Sequence, residues 1–121
     1  MKIIDSNILI YAYQEDYKYL RKLFLDKTIY FSEISKLETL GFHKIKQSKK
    51  VFYNTIFENS NVIAIDSEII DFAIKLKQKQ KMAIGDALIA ATALIFDLEI
   101  ITRNTKDFEA IEGLKTINPI L

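Results

Sequence analysis

The segment IGDALIAATALIF, residues 84–96, is apolar on almost every side of the helix that its composition predicts. A helix that is hydrophobic all round is a buried helix, so this segment should lie at the centre of the core. Its one carboxylate, Asp86, is the only charge between Lys81 and Asp97. A carboxylate in such a place needs a cation, backbone N–H groups or a metal as its partner. From this helix alone, the simplest role for Asp86 is an N-cap.

The composition is typical of one compact domain covering residues 1–121, since half of the residues are hydrophobic. There is no cysteine and one histidine, His43, so any metal would be held mainly by oxygen ligands. The 17 basic and 16 acidic residues nearly cancel, so nucleic-acid affinity must come from local patches. The sequence has neither a signal-peptide pattern nor a long apolar run, and we expect a cytoplasmic protein without a membrane segment.

Short β-branched runs alternate with helical patterns along the chain. Strands are predicted at residues 2–5, 28–31, 62–65 and 99–102, with a short edge strand at 115–118. Helices are predicted from Ser6, over 17–25, from Ser32 or Ser35, from Ser48 to about Asn59, over 67–81 and over 84–96. Strands separated by helical segments of about ten residues predict an α/β fold, in which helices cover both faces of a mostly parallel central sheet of four to five strands.

The spacing of apolar residues also predicts which helix faces are buried. The predicted faces are Tyr17, Leu20, Leu23 and Phe24; Leu37, Leu40 and Ile45; Val51, Phe52, Thr55 and Ile56; and Ile69, Ile70, Ala73, Ile74 and Leu76. The first of these faces has two interpretations. It packs on the domain's own sheet or in a homodimer, or it anchors an amphipathic segment of a partner.

Polar residues from four separate parts of the sequence are predicted to meet at one edge of the sheet. They are Asp5, Glu38, Asp86 and the group Thr102, Arg103, Asn104 and Asp107. Ligand sites of open parallel sheets lie at the C-terminal ends of the strands, where these residues fall. Each has an ordinary explanation by itself, as a helix cap, a turn residue or a surface charge. Their coincidence favours a functional site.

Crowded carboxylates repel one another, and a divalent cation relieves that repulsion. Oxygen ligands with open positions suit Mg²⁺ or Mn²⁺ rather than zinc. A pair of such ions about 4 Å apart is a common device for hydrolysing phosphodiesters. A Ser-His-Asp arrangement would depend on His43 alone, which we interpret as a surface or RNA-facing side chain.

Four successive blocks of the sequence resemble those of PIN-domain proteins, especially the VapC-type toxins. The blocks are DSNILIYA at 5–12, SEISKLETLGF at 32–42, IGDALIAATAL at 84–94 and ITRNTKDF at 101–108, with GLKTINP at 113–119 as a further match. The resemblance implies a PIN-like three-layer fold and a Mg²⁺- or Mn²⁺-dependent endoribonuclease that cleaves RNA. It also implies a small antitoxin protein, encoded adjacently, as a partner.

The resemblance assigns roles to individual residues. Asp5 and Asp86 match the principal metal ligands, and Glu38 matches a ligand or a residue that orients the attacking water. Many PIN domains have a fourth acid where this sequence has Asn104, whereas VapC-like members often have asparagine there and an acid at the position of Asp107. The fourth catalytic position, and with it the number of metals, therefore stays open. The residues that match supporting hydrogen-bond positions are Ser6, Asn7, Thr102 and Asn104.

RNA binding requires cations around the acidic site, because phosphate contacts supply much of the affinity. We expect Arg103, Lys36 and Lys44 to provide them, whereas the lysines of residues 75–81 are typical of a solvated helix face. One alternative is a PIN-like module that binds RNA or a protein without cleaving it. Another is a phosphoacceptor receiver domain, which should have an acidic pair after the first strand and a lysine ending the last, and the sequence has neither.

Overall fold

The computed structural model describes residues 1–121 and contains one sheet in which every neighbouring pair of strands is parallel. The strands are β1 (Lys2–Ile4), β2 (Ile29–Ser32), β3 (Asn61–Ile63), β4 (Glu99–Ile101) and β5 (Thr116–Ile117). Their order across the sheet is β3-β2-β1-β4-β5, which places β1 at the centre. The predicted parallel sheet is confirmed. The order differs from the 2-1-3-4-5 order of receiver domains, which excludes that alternative.

Five α-helices and two 3-10 helices connect the strands. They are α1 (Ser6–Tyr13), α2 (Glu33–Leu40), α3 (Gln47–Glu58), α4 (Ser67–Lys79) and α5 (Ile84–Phe96), with 3-10 helices at Glu15–Leu25 and Thr105–Phe108. None of them has the length and apolar composition that crossing a membrane requires. The other predicted helices are present, with ends that differ from the prediction by a few residues, but residues 17–25 do not form an α-helix.

The segment predicted as an amphipathic α-helix at residues 17–25 is instead part of the first 3-10 helix. The backbone of Tyr17 leaves the helical region there, with φ −115° and ψ 16°. The guanidinium of Arg21 donates to the carbonyl oxygens of Ala12, at 2.7 Å, and Tyr13, at 3.0 Å. These are the last carbonyls of α1, which lack partners within their own helix. Satisfying them holds the segment close against the end of α1.

Consecutive isoleucines in the two central strands supply two separate cores. Side chains alternate between the faces of a strand, so Ile3 and Ile100 face one side of the sheet and Ile4 and Ile101 the other. Helices α4 and α5 cover the first face, and α1, α3 and the first 3-10 helix cover the second. The result is the expected three-layer arrangement, with helices on both faces.

Helix α5 is buried along its middle and exposed at its two ends. Residues from Ala87 to Ala93 are at most 6% exposed, whereas Ile84 and Phe96 are 66% and 48% exposed. The helix begins one turn earlier than an N-cap at Asp86 would require, because the N–H of Ala87 bonds to the carbonyl of Ala83. Asp86 is therefore the third residue of the helix, and its prediction as the N-cap is wrong.

Several apolar residues predicted to face the core are exposed instead. They are Leu37 at 68%, Val51 at 56%, Ile74 at 49% and Ile70 at 41%. In α2 the buried residues are the polar Ser35 and Thr39, because this helix packs against α1, α3 and α5 at the edge of the sheet. The face formed by Tyr17, Leu20, Leu23 and Phe24 packs on the domain's own core, where the Phe24 and Phe31 rings lie 6.1 Å apart.

The burial pattern predicts how two substitutions should differ. Ile89→Ala in α5 removes a fully buried side chain and should lower the free energy of unfolding by about 2–5 kcal/mol. Leu37→Ala, at a position 68% exposed, should change it by no more than about 0.5 kcal/mol. Urea unfolding followed by circular dichroism measures both. Equal losses would contradict the assignment of α5 to the core.

Candidate active site

The two central strands bring Asp5 and Thr102 side by side. Ile4 of β1 pairs with Ile101 of β4, so the residues that follow these strands leave the sheet together at its C-terminal edge. The Thr102 hydroxyl donates to Oδ2 of Asp5 at 2.8 Å, and Asp5 is 6% exposed. Asp5 occupies the N-cap position of α1, but its side chain makes no capping hydrogen bond. Its carboxylate is instead held by the neighbouring strand.

Asn7 ties the beginning of α1 to the segment after β4. Its amide Nδ2 lies 3.3 Å from Asp5 Oδ2 and 3.3 Å from Thr102 Oγ1, and its Oδ1 accepts from the backbone N–H of Arg103 at 3.3 Å. The backbone N–H of Asn104 donates to Thr102 Oγ1 at 3.1 Å, while the Asn104 residue is exposed. These bonds orient Asp5, and Asn104 contributes to them through its backbone.

Glu38 reaches the same place from α2. The Ser6 hydroxyl donates to Glu38 Oε1 at 2.7 Å, and Ser6 Oγ lies 2.9 Å from Ser35 Oγ. The Glu38 residue is exposed overall, and the bond from Ser6 holds the Oε1 edge of its carboxylate. Ser35 and Glu38 are three residues apart on one helix and therefore face the same side.

We call Asp5, Glu38, Asp86 and Asp107 the acidic cluster. Burial, followed by the charges of the other three acids, raises the pKa of Asp86 from its ordinary value of 3.8 to about 6. Burial also raises the pKa of Asp5, while the hydrogen bond from Thr102 opposes the rise. Asp107, exposed on the second 3-10 helix, acts on both of these carboxyls through its charge. The four acids are therefore close enough to repel one another.

No cation of the chain neutralises the acidic cluster. The one ion pair within 4 Å in the structure joins Lys18 and Glu15, away from the cluster. Four carboxylates with hydroxyl and amide neighbours form a donor set that suits a hard divalent cation such as Mg²⁺ or Mn²⁺. In the observed side-chain positions, no group of three acids is already arranged to hold one ion. The residues fit such a metal by their chemistry and by their unneutralised charge.

Comparison with known proteins supports the same conclusion about the family. A family model described as PIN domain matches residues 2–114. The chain belongs to the PIN-domain family. This confirms the resemblance seen in the four sequence blocks. None of the curated proteins compared with this PIN domain matches it.

Solved structures resemble this PIN domain over nearly the whole of both chains. A chain of a toxin–antitoxin complex from Klebsiella pneumoniae is 30% identical with a TM-score of 0.79, covering 99% of this chain and 98% of that one. VapBC-1 from nontypeable Haemophilus influenzae is 25% identical with a TM-score of 0.73, covering 97% and 96%. VapBC2 from Rickettsia felis, bound to a promoter DNA fragment, is 24% identical with a TM-score of 0.76, covering 97% of each chain, and this likeness shows the fold alone.

The cations predicted to contact RNA lie at different places around this PIN domain. Arg103 directly follows Thr102 in the chain. Its guanidinium lies 5.3 Å from the centre of the Tyr11 ring. Lys36 is exposed on α2, and Lys44 is exposed in the turn between α2 and α3. None of the three forms an ion pair. Arg103 is thus the one of them that is fixed beside the acidic cluster.

Sequence reasoning missed four residues that the structure brings to the site. Ser35 lies against Ser6, and Gly85 lies against the Glu38 carboxylate. Lys81 and Lys106 line a groove of about 680 Å³ together with Asp86 and Asp107. The spacing of Ser35 and Glu38 was a usable signal, since residues three apart share a helix face. The sequence pattern assigns Lys81 to a solvated helix face, although α4 ends at Lys79, and nothing in that pattern marks Gly85 or Lys106.

The raised pKa of Asp86 predicts a pH dependence of stability without metal. Because the folded pKa of about 6 exceeds the ordinary 3.8, the stability due to protonated Asp86 is complete below about pH 4 and is lost as pH rises through 6. Relative to wild type, Asp86→Asn in EDTA should gain about 1–2 kcal/mol between these limits, after discounting for half exposure and the helix N-terminus. Urea unfolding across that pH range measures the gain. Parallel pH profiles would mean that the pKa of Asp86 is not raised, either by burial or by the other acids.

Proposed function

We propose that this PIN domain is a VapC-type toxin, an endoribonuclease that hydrolyses RNA phosphodiester bonds with Mg²⁺ or Mn²⁺. The observation that carries the proposal is the acidic cluster, whose four carboxylates come from four separate parts of the chain and form no ion pair with a cation of the chain. Raised pKa values of this kind are common at catalytic sites. The relative from Klebsiella pneumoniae, a chain of a toxin–antitoxin complex, adds support.

The hydrogen bonds suggest which acids bind the metal and which one orients the attacking water. Thr102 and Asn7 both donate to Oδ2 of Asp5, so neither side chain occupies Oδ1, the oxygen that we propose binds a metal. Asp86 is the second proposed ligand, and Asp107 is the fourth acid because its charge acts on both Asp5 and Asp86. A bound Mg²⁺ or Mn²⁺ would supply a Lewis acid that activates water and stabilises the leaving oxygen. Glu38, held at Oε1 by Ser6, is a ligand or orients the attacking water through Oε2.

The main alternative is a PIN-like module that binds RNA or a protein without cleaving it. Such a module would have no need of clustered acids, since each raised pKa is free energy lost from the folded state. Proteins keep strained or repelling groups where activity depends on them. The repulsion among the four acids therefore favours catalysis over binding alone.

RNA would reach the acids along surfaces that carry unpaired cations. Lys81 and Lys106 line the groove beside Asp86 and Asp107, and Arg103 lies between β4 and the second 3-10 helix in the chain. Phosphate contacts from such side chains position the backbone without reading its sequence. Lys36 and Lys44 would extend this contact over α2 and the turn that follows it.

The proposal predicts that the carboxylate of Asp86, on the buried helix α5, is required for RNA cleavage. Asp86→Asn should keep the fold but lower Mg²⁺-dependent RNA cleavage at least about 100-fold, because it removes a metal ligand. EDTA should silence the wild type, and added Mn²⁺ should restore it. Cleavage of a mixed RNA substrate by purified protein, followed by sequencing of the 5′ ends, measures the loss and identifies the cut site.

A matched control is available at the other end of the same helix. Asp97 follows α5 with a left-handed backbone, φ 55°, a conformation that asparagine also tolerates. Asp97→Asn makes the same chemical change away from the acidic cluster and should retain wild-type cleavage. Full activity of Asp86→Asn would reject the assignment, and metal-independent cleavage would reject the mechanism.

We also propose a small antitoxin that covers the site from the side of α2. The face first considered as an anchor, around Leu20, is taken up by the domain's own core. Exposed apolar side chains lie elsewhere, next to Glu38, where Ile10, Phe42 and Ile45 line a groove with it. Phe42 is 56% exposed and Ile10 is 41% exposed. An amphipathic segment laid in this groove could direct a basic side chain to the acidic cluster.

This partner predicts a pair of contrasting variants. A small protein encoded next to this chain should co-purify with it and abolish cleavage. Phe42→Ser should weaken the complex by about 1–3 kcal/mol, since it removes an exposed aromatic anchor, while Phe96→Ser, at the end of α5, should not. Isothermal titration calorimetry measures both. Full RNase activity in the presence of every adjacent small gene product would exclude the antitoxin proposal but not the nuclease proposal.

A further inference from the structure

The carboxylate of Glu38 packs directly against the backbone of Gly85, in the first turn of α5. A Cβ atom added to Gly85 would lie 2.5 Å from Glu38 Oε2, 3.2 Å from Cδ and 3.5 Å from Oε1. Cβ atoms essentially never come within 3.0 Å of a heavy atom outside their own residue and its chain neighbours. No residue with a side chain therefore fits at position 85 while Glu38 keeps its place.

The backbone itself gives no reason for glycine at this position. Gly113, with φ 82°, is the one glycine in a left-handed conformation, whereas Gly85 is a regular residue of α5. Glycine in a helix destabilises it relative to alanine, because it loses more conformational freedom on folding. The structural reason for glycine at position 85 is that a side chain there would occupy the space of the Glu38 carboxylate.

The opposite edge of the Glu38 carboxylate is also held. Ser6 of α1 donates to Oε1 at 2.7 Å and is itself in hydrogen-bond contact with Ser35. The carboxylate is thus confined between a hydroxyl of one helix and the bare backbone of another. A displacement of Oε2 away from Gly85 would disturb the bond to Ser6 as well.

We propose that Gly85 is a positioning residue, whose missing side chain leaves the space in which Glu38 is set relative to Asp5 and Asp86. The role in metal binding rests on the proposed function. Without that space, the flexible end of Glu38 would move and the backbone would not, because the predicted clash is with the carboxylate alone. A methyl group at position 85 therefore weakens metal binding while leaving the fold intact.

Metal binding and stability should consequently change in opposite directions. In EDTA, Gly85→Ala should melt at or above the wild-type temperature, because the gain in helix propensity and the movement of Glu38 away from the other acids should outweigh the weakened bond from Ser6. Its dissociation constant for Mn²⁺ or Mg²⁺ should rise about 10-fold or more, as when a group that orients a metal ligand is lost. A variant that merely damaged the fold would melt lower in EDTA.

The experiment combines thermal melting in EDTA and in increasing Mg²⁺ with calorimetric titration of Mn²⁺. Its variants are wild type, Gly85→Ala, Glu38→Gln, the double variant and Asp86→Asn. Asn54→Ala is the matched control, because it makes a similar gain in helix propensity at an exposed position of α3 and should leave metal affinity unchanged. In the Glu38→Gln background, Gly85→Ala should alter metal affinity by less than about twofold, because the effect acts through Glu38.

Two results would overturn the role of Gly85 while leaving the proposed nuclease activity unaffected. One is wild-type metal affinity in Gly85→Ala while Asp86→Asn loses binding, and the other is an equal loss in the Glu38→Gln background. A wild type that responds to neither ion would instead reject the proposed nuclease, together with the role in metal binding assigned to Gly85.

Discussion

The hydrogen bond between the Thr102 hydroxyl and the buried Asp5 carboxylate is the interaction on which the candidate site depends. It joins the ends of the two central strands, and like the bond from Asn7 it is made to Oδ2 of Asp5. The parallel sheet makes this contact possible, because parallel strands release their C-terminal residues at one edge. Asn7 and the backbone of Asn104 then add bonds to the same two side chains.

Around this fixed pair, the chain has assembled negative charge that it does not neutralise. Burial and mutual repulsion raise the pKa values of Asp5 and Asp86, so the folded state without metal is less stable than its core alone would make it. The two isoleucine-rich cores, and the long buried stretch of α5 in particular, supply the compensating hydrophobic stabilisation. The two cores on the faces of the sheet thus stabilise the fold, whereas the repelling acids at its C-terminal edge destabilise it.

The sequence predicted the elements and their meeting point better than the details of contact. Alternating β-branched and helical patterns identified the parallel sheet, and that sheet brought Asp5 and Thr102 together. The orientation of α2 was not predictable from apolar spacing, because it buries Ser35 and Thr39 against other helices and leaves Leu37 exposed. The fit of Glu38 against Gly85 depends on how α2 and α5 pack, which no local pattern encodes.

The strand order also has a consequence for the time at which the site forms during synthesis. Asp5 is translated before its partner Thr102, which lies 97 residues further along the chain. The central strand β1 therefore has to wait for β4, and closing so long a loop is entropically costly until most of the other contacts exist. A nascent or prematurely terminated chain would carry the acids without the geometry that unites them. The candidate site can therefore assemble only after translation has passed Thr102.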